Sequence, residues 1–139
     1  MIEKIKIHTS RQHECVNLTD EIRTIITRQG FKQGLCVVYN PHSTAGLFIN
    51  SYLDPKTLLD IMDTIRTLVP TRIDYHHQFD TPSDAAGHIK SVLVGNSEIV
   101  LVEDGTLCIG GSQGVLFAEF DGPRDREVWI TLVHGGEAH

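Results

Sequence analysis

The last third of the chain decides which class of fold is open to it. Ile99 to Val102, Leu107 to Ile109, Val115 to Phe120 and Val128 to Val133 are short β-type runs separated by DG, GG, QG and DGPRDRE turns. Helical periodicity is confined to the first two thirds. That ordering predicts an α+β fold of layered, predominantly antiparallel β-sheets with interspersed helices, not a doubly wound parallel sheet. With 139 residues, the chain is expected to form a single domain over residues 1–139. That length buries a real core without staples.

The earlier elements are bounded by turn and cap residues. Lys4 to Thr9 alternates polar and apolar, and His13 to Leu18 is its expected hairpin partner. Thr19 is expected to cap a short helix whose buried stripe is Leu18, Ile22, Ile25 and Ile26. Leu35 to Asn40 is rich in β-branched residues and reads as a central strand, followed by a second strand after a break at Pro41. Asp54 and Pro55 introduce the longest helix, with Leu58, Leu59, Ile61, Met62, Ile65 and Leu68 expected inward. A third helix has the best-specified start. Thr81 is its N-cap, Pro82 its first residue, and Asp84 stands three residues after the cap. Ala85, Ala86, Ile89, Val92 and Leu93 recur at helical spacing, and Gly95 can stop the helix. The tail after His134 is expected to fray, and His139 has no special claim.

Composition narrows the classes. The formal net charge of −6, from 12 Lys and Arg against 18 Asp and Glu, argues against a nucleic-acid partner, since no basic run offsets it. Cys15, Cys36 and Cys108 are odd in number and far apart, which fits free thiols in a reducing, cytoplasmic setting. The N-terminal stretch lacks an apolar signal region, and no run approaches the length of a membrane span.

The polar residues that can carry chemistry converge on the third helix. Asp84 and His88 are four apart and share a face, and the loop before the cap brings His76 and His77 toward that end. His76 and His77 are adjacent, so an extended backbone turns only one of them toward the site. His42 sits beside the strand break at Pro41. Three imidazoles, His42, His77 and His88, can hold a zinc-like divalent metal with an open position. Their separations match no compact zinc signature, and there is neither HExxH nor CxxC. The bland alternative for His88 is a hydrogen bond to Asp84 or to a neighbouring strand. Asp84 itself can fix the His88 tautomer or simply cap the helix. Glu119 is expected to point outward from its strand, as a base, a metal ligand or a solvated residue. Arg124 and Arg126 lie in a tight turn that can present guanidinium forks to phosphate. Gly110, Gly111 and Gly114 surround Ser112 and Gln113, where backbone N–H groups can form an anion nest or merely a turn.

Several blocks in a fixed order carry a family resemblance. These are HSTAGLFIN at His42 to Asn50 with Asp54-Pro55, His77 with GHIKSVLVG at Gly87 to Gly95, and GGSQGVLFAEFDGPRDREVWI near the end. On these the chain resembles the YjbQ (UPF0047) family, labelled secondary thiamine-phosphate synthase, over nearly its whole length. The resemblance implies a small α+β protein that assembles as a homotrimer. It also implies a histidine cluster at His42, His77 and His88, an acidic position at Glu119, a basic turn at Arg124 and Arg126, and ligand contact by Gln113. One residue departs from the pattern: Ser112 precedes Gln113 where members commonly have an aromatic.

The activity so implied joins a hydroxymethylpyrimidine pyrophosphate to a thiazole phosphate with release of pyrophosphate. A divalent metal and the arginines would stabilise the leaving group. Mg²⁺ suits a pyrophosphate substrate but prefers oxygen ligands, whereas three histidines suit zinc. The alternatives are a metal-dependent hydrolase of a small phosphorylated or polar substrate, and a non-catalytic trimer that binds metal or ligand.

Overall fold

The computed structural model describes residues 1–72, 74–77 and 81–136; His139 lies outside them. The strands are β1 (Glu3–His8), β2 (Glu14–Asn17), β3 (Gly34–Tyr39), β4 (Ala45–Ser51), β5 (Ser97–Glu103), β6 (Thr106–Cys108), β7 (Gln113–Glu119) and β8 (Asp125–His134). They form a five-stranded sheet in the order β1-β8-β3-β5-β6 and a three-stranded sheet in the order β2-β7-β4. The paired strands run antiparallel throughout. The fold is therefore α+β and layered, as the clustering of strands at the chain's end predicts.

The interior lies between the two sheets. Alternate residues of each strand face it: Ile5 and Ile7 from β1, Cys36 and Val38 from β3, Val128 and Ile130 from β8, and Val115 and Phe117 from β7. Helix α1 (Thr19–Arg28) adds Leu18, Ile22, Ile25 and Ile26 to the same core. The other face of the three-stranded sheet carries Ala118 and Phe120, which pack with Met62 and Ile65 of helix α2 (Pro55–Leu68). Helix α3 (Pro82–Val94) lies against β4. Asp104 and Gly105, both at positive φ (52° and 72°), close the tight hairpin between β5 and β6. Among the described residues no helix is long and apolar enough to cross a membrane.

Four local expectations are corrected. β1 and β2 do not pair as a hairpin; β1 pairs with β8 and β2 with β7, so the chain changes sheets between them. Thr19 is the first residue of α1 and not its cap. Its hydroxyl donates to the Asn17 carboxamide oxygen at 2.6 Å and accepts from the Val115 N–H at 2.9 Å, tying the helix to β7. On α2 only Met62 is buried, while Leu59 and Leu68 are exposed. On α3 the residues that recur at helical spacing divide: Ala85 and Ala86 are buried, but Ile89, Val92 and Leu93 are exposed. The buried face of α3 holds Ser83, Gly87, Lys90 and Ser91 instead. The caps of both helices are as expected, with Asp54 accepting from the Lys56 N–H and Thr81 from the Asp84 N–H.

Phe117 is fully buried between the sheets. Phe117→Ala should cost about 3–5 kcal/mol in denaturant unfolding; a loss below about 1 kcal/mol would contradict this placement of the core.

Candidate metal centre

Helix α3 begins where its cap and first-turn proline put it, and that fixes the direction of Asp84 and His88 on one face. The His77 Nε2 lies 2.6 Å from Asp84 Oδ2, and His88 Nε2 lies 3.3 Å from the same oxygen. The two imidazoles meet edge to face with ring centroids 5.1 Å apart. One donor atom from each of His77, Asp84 and His88 lies within 4.8 Å of the others, so the three can share one cation.

The orientation of His88 comes from the loop between β3 and β4. Its Nδ1 hydrogen-bonds the Ser43 carbonyl at 3.2 Å. A carbonyl only accepts, so Nδ1 carries the proton and, in the neutral ring, Nε2 presents its lone pair toward Asp84. Two acceptors facing one another are stable only with a proton or a cation between them. A backbone carbonyl on the far nitrogen is also the usual support for a metal-ligating histidine. Burial works to raise the Asp84 carboxyl, but the His77 hydrogen bond and the charge of both imidazoles outweigh it and hold the group below its ordinary range. Two imidazoles and a carboxylate, with further positions open, fit a zinc-like ion and also give it an oxygen ligand.

The Ser43 carbonyl is itself held firmly. Asn40 is buried, and its amide group donates to the His42 and Ala45 carbonyls at 3.0 and 2.9 Å while its oxygen accepts from the His42 N–H at 2.9 Å. Gly87 allows α3 to close on this loop: a Cβ there would lie 3.2 Å from the Thr44 side chain.

His42 does not join the group of His77, Asp84 and His88. Its Nε2 accepts the Glu127 N–H at 3.0 Å. β3 pairs with β8 as far as Tyr39 and Trp129, and beyond that point the His42 ring takes the place of the departed strand. With Nε2 used as an acceptor, Nδ1 carries the proton. Burial, then the Arg126 charge, lowers its pKa and keeps it neutral. The structure thus brings together two histidines and Asp84 in place of the expected three-histidine set, with His42 lining the same cavity as His88. His42 and His88 both line an open cavity of about 460 Å³, together with Tyr39, Asn40, Ser43 and Asn96.

Glu119 points inward, not outward. It follows Val115 and Phe117 at two-residue spacing and so shares their core-facing row. It is fully buried, and both oxygens are engaged: Oε1 accepts from Thr9 Oγ1 at 2.8 Å and Arg126 Nε at 2.9 Å, and Oε2 accepts from Arg126 and from the Asp121 N–H. Arg126 is also buried, and donates to Thr44 Oγ1 at 2.8 Å. Its fork is committed within the fold. Arg124 is partly exposed and pairs with Asp121 at 2.7 Å. Gln113 folds back to accept the Gly110 N–H at 2.8 Å, closing the glycine turn. Asn40, Thr9 and Thr44 were not legible as site residues. Asp84 was legible through its i, i+4 relation to His88, though the helix cap offered it a competing role.

On the opposite side of α3, Lys90 is buried with its Nζ 2.8 Å from His13 Nε2. Its pKa is pushed down to about 8, first by burial and then by the Arg66 charge.

For Glu119, burial works to raise the pKa, but the Arg126, Asp121 and Thr9 hydrogen bonds win and lower it from 4.5. A depressed carboxylate contributes stability above its unfolded pKa and loses it as pH falls through the folded value. Glu119→Gln should therefore cost about 3–5 kcal/mol at pH 7, because Arg126 is left buried and unpaired. It should also flatten the acid limb of the stability-versus-pH curve. Parallel curves for the two proteins would contradict the pairing.

The comparisons with known proteins agree in family and in fold. The family described as "UPF0047 protein YjbQ-like" matches residues 3–135. UPF0047 protein MJ1081 from Methanocaldococcus jannaschii is 40% identical, over 96% of this chain and 94% of its own length. UPF0047 protein YugU from Bacillus subtilis is 34% identical, over 96% and 99%. The crystal structure of a yjbq/upf0047 family protein from Clostridium acetobutylicum superposes with a TM-score of 0.87 at 33% identity, covering 94% of this chain and 99% of that one. That of hypothetical protein APE1520 from Aeropyrum pernix gives 0.90 at 29%, covering 97% and 99%. Matched along almost its entire length in sequence and in fold, the chain belongs to the YjbQ (UPF0047) family.

Proposed function

We propose that this protein is a metal-dependent enzyme acting on a small polar or phosphorylated substrate, with a divalent ion held by His77, Asp84 and His88. The observation that carries the reading is the His88 ring, whose Nδ1 is bound to the Ser43 carbonyl and whose Nε2 faces Asp84 and His77. An ion so held supplies Lewis-acid chemistry, polarising a substrate oxygen or making water nucleophilic at neutral pH.

The chain's own residues orient the ligands and shape the substrate space. Ser43 fixes the His88 tautomer, and the buried Glu119–Arg126 pair holds Thr44 beside it. His42, neutral and lining the same cavity as His88, is suited to orient a polar substrate group. Arg124 is the basic-turn residue that reaches the surface, and a phosphate must compete with Asp121 for it. Arg126 acts here as a positioning residue.

Two reactions fit such a site. The joining of a pyrimidine pyrophosphate to a thiazole phosphate is the activity the resemblance implies, and the Asp84 oxygen makes the site more hospitable to Mg²⁺ than three histidines would be. Metal-assisted hydrolysis is favoured by the committed state of Arg126, since departure of pyrophosphate calls for free cationic donors. Assembly as a homotrimer is part of the proposal. Leu59 and Leu68 on α2 and Ile89, Val92 and Leu93 on α3 leave apolar faces exposed in the single chain, as subunit contacts do.

His88→Ala should lower bound zinc, measured by elemental analysis after dialysis, to below a tenth of the wild-type amount; unchanged zinc would reject the ligand assignment. On one metal-loaded preparation, thiamine-phosphate formation from both precursors would support the transferase reading. Phosphate release without the thiazole would support hydrolysis, and neither would reject an enzyme for these substrates. Light scattering should report three times the 15.5 kDa chain mass, and a monomer mass would reject the trimer.

A further inference from the structure

Helix α3 carries a second polar face. Lys90 is two residues beyond His88, so its side chain leaves the helix about 200° further round. Its Nζ meets His13 Nε2 at 2.8 Å. His13 has its pKa pushed down to about 4, first by burial and then by the Lys90 and Arg66 charges, against the opposing pull of Glu119 and Asp121. His13 is thus neutral at pH 7, and its Nε2 accepts from the Lys90 ammonium. That contact satisfies one of three N–H donors and cancels none of the charge.

Lys90, His13 and Arg66 line an open cavity of about 380 Å³, within the range of about 300–1,000 Å³ that small-ligand sites occupy. Gln12 and Thr71 complete one side of it. Among the described residues that line it Asp63 is the one carboxylate; it is exposed and 3.7 Å from the Arg66 guanidinium. Asp121, whose charge also reaches Lys90, is paired with Arg124 at 2.7 Å. Among the described residues, a buried lysine and a half-exposed arginine therefore line one cavity with little acidic compensation.

We propose that this cavity is a binding site for a phosphate group, held between the Lys90 ammonium and the Arg66 guanidinium. A phosphate has the charge to match two cations and enough oxygens to accept from both, which a guanidinium fork and an ammonium donate well. The site lies across α3 from His77, Asp84 and His88 and does not depend on the metal reading. Its occupant is free phosphate or the phosphoryl group of a small metabolite.

The test is calorimetric titration of the full chain at pH 7 with inorganic phosphate and, separately, with glycerol 3-phosphate, each with and without a metal chelator. Saturable millimolar or tighter binding is expected, weakened about tenfold by Arg66→Gln and by Lys90→Met and unaffected by the chelator. Arg66 is more than half exposed, so Arg66→Gln remains informative should Lys90→Met fail to fold. Tighter binding of glycerol 3-phosphate assigns the site to a phosphorylated metabolite, and tighter binding of inorganic phosphate assigns it to the free ion. No saturable binding, binding undiminished in Arg66→Gln, or binding abolished by the chelator would overturn the proposal. The last result would put the anion at the metal cluster instead.

Discussion

The buried pair of Glu119 and Arg126 joins the two sheets of this fold. Glu119 belongs to β7 of the smaller sheet and Arg126 to β8 of the larger. Each continues an apolar row: Val115 and Phe117 lead to Glu119, and Ile130 and Val128 lead to Arg126. The sandwich is therefore apolar along most of its length and ionic at one end. Two buried charges are tolerated there because every oxygen of the carboxylate has a donor and the guanidinium also reaches Thr44. Such a pair gives little net stability over an apolar replacement of the same shape, but losing one partner is costly. Its structural effect is to fix the loop between β3 and β4 relative to β8.

The candidate metal site depends on that loop. Thr44 is gripped by Arg126, Asn40 sets the path of residues 40–45, and His42 binds the free Glu127 N–H next to Arg126. Ser43 is left with its carbonyl aimed at His88. The histidine is thereby oriented from outside its own helix, and Asp84 and His77 meet it from one side. The same helix turns Lys90 the other way, into a cavity with Arg66. A helix with polar groups on two sides has less room for an inward apolar stripe, which is why Ile89, Val92 and Leu93 lie outside.

Much of the architecture was legible because its causes are local. Strand runs, the Asp-Gly hairpin and the caps at Asp54 and Thr81 each depend on a few neighbouring residues, and those expectations held. The β1–β2 pairing failed because two adjacent strands joined different sheets, which no local signal encodes. The inward stripe of α2 held at Met62 and Ile65 but not at Leu59 and Leu68, and helical spacing on α3 did not bury Ile89, Val92 and Leu93, because periodicity gives a face but not what covers it. At the site, the relation of Asp84 to His88 was visible in their spacing, and His77 in its proximity to the cap. Glu119 was misjudged by reading a charged residue as outward when its parity with Val115 and Phe117 placed it inside. His42 depended on where β3 leaves β8, a fact of tertiary structure.

The central claim is that one cation sits among His77, Asp84 and His88. A crystal of the protein grown with zinc, with diffraction data collected on either side of the zinc absorption edge, tests it most directly. The account predicts an anomalous peak at about 2.0–2.2 Å from a nitrogen of each of the two histidines and from an Asp84 oxygen, with the Ser43 carbonyl still bonded to His88 Nδ1. Zinc bound elsewhere in the molecule, with these three side chains free of it, would contradict the account.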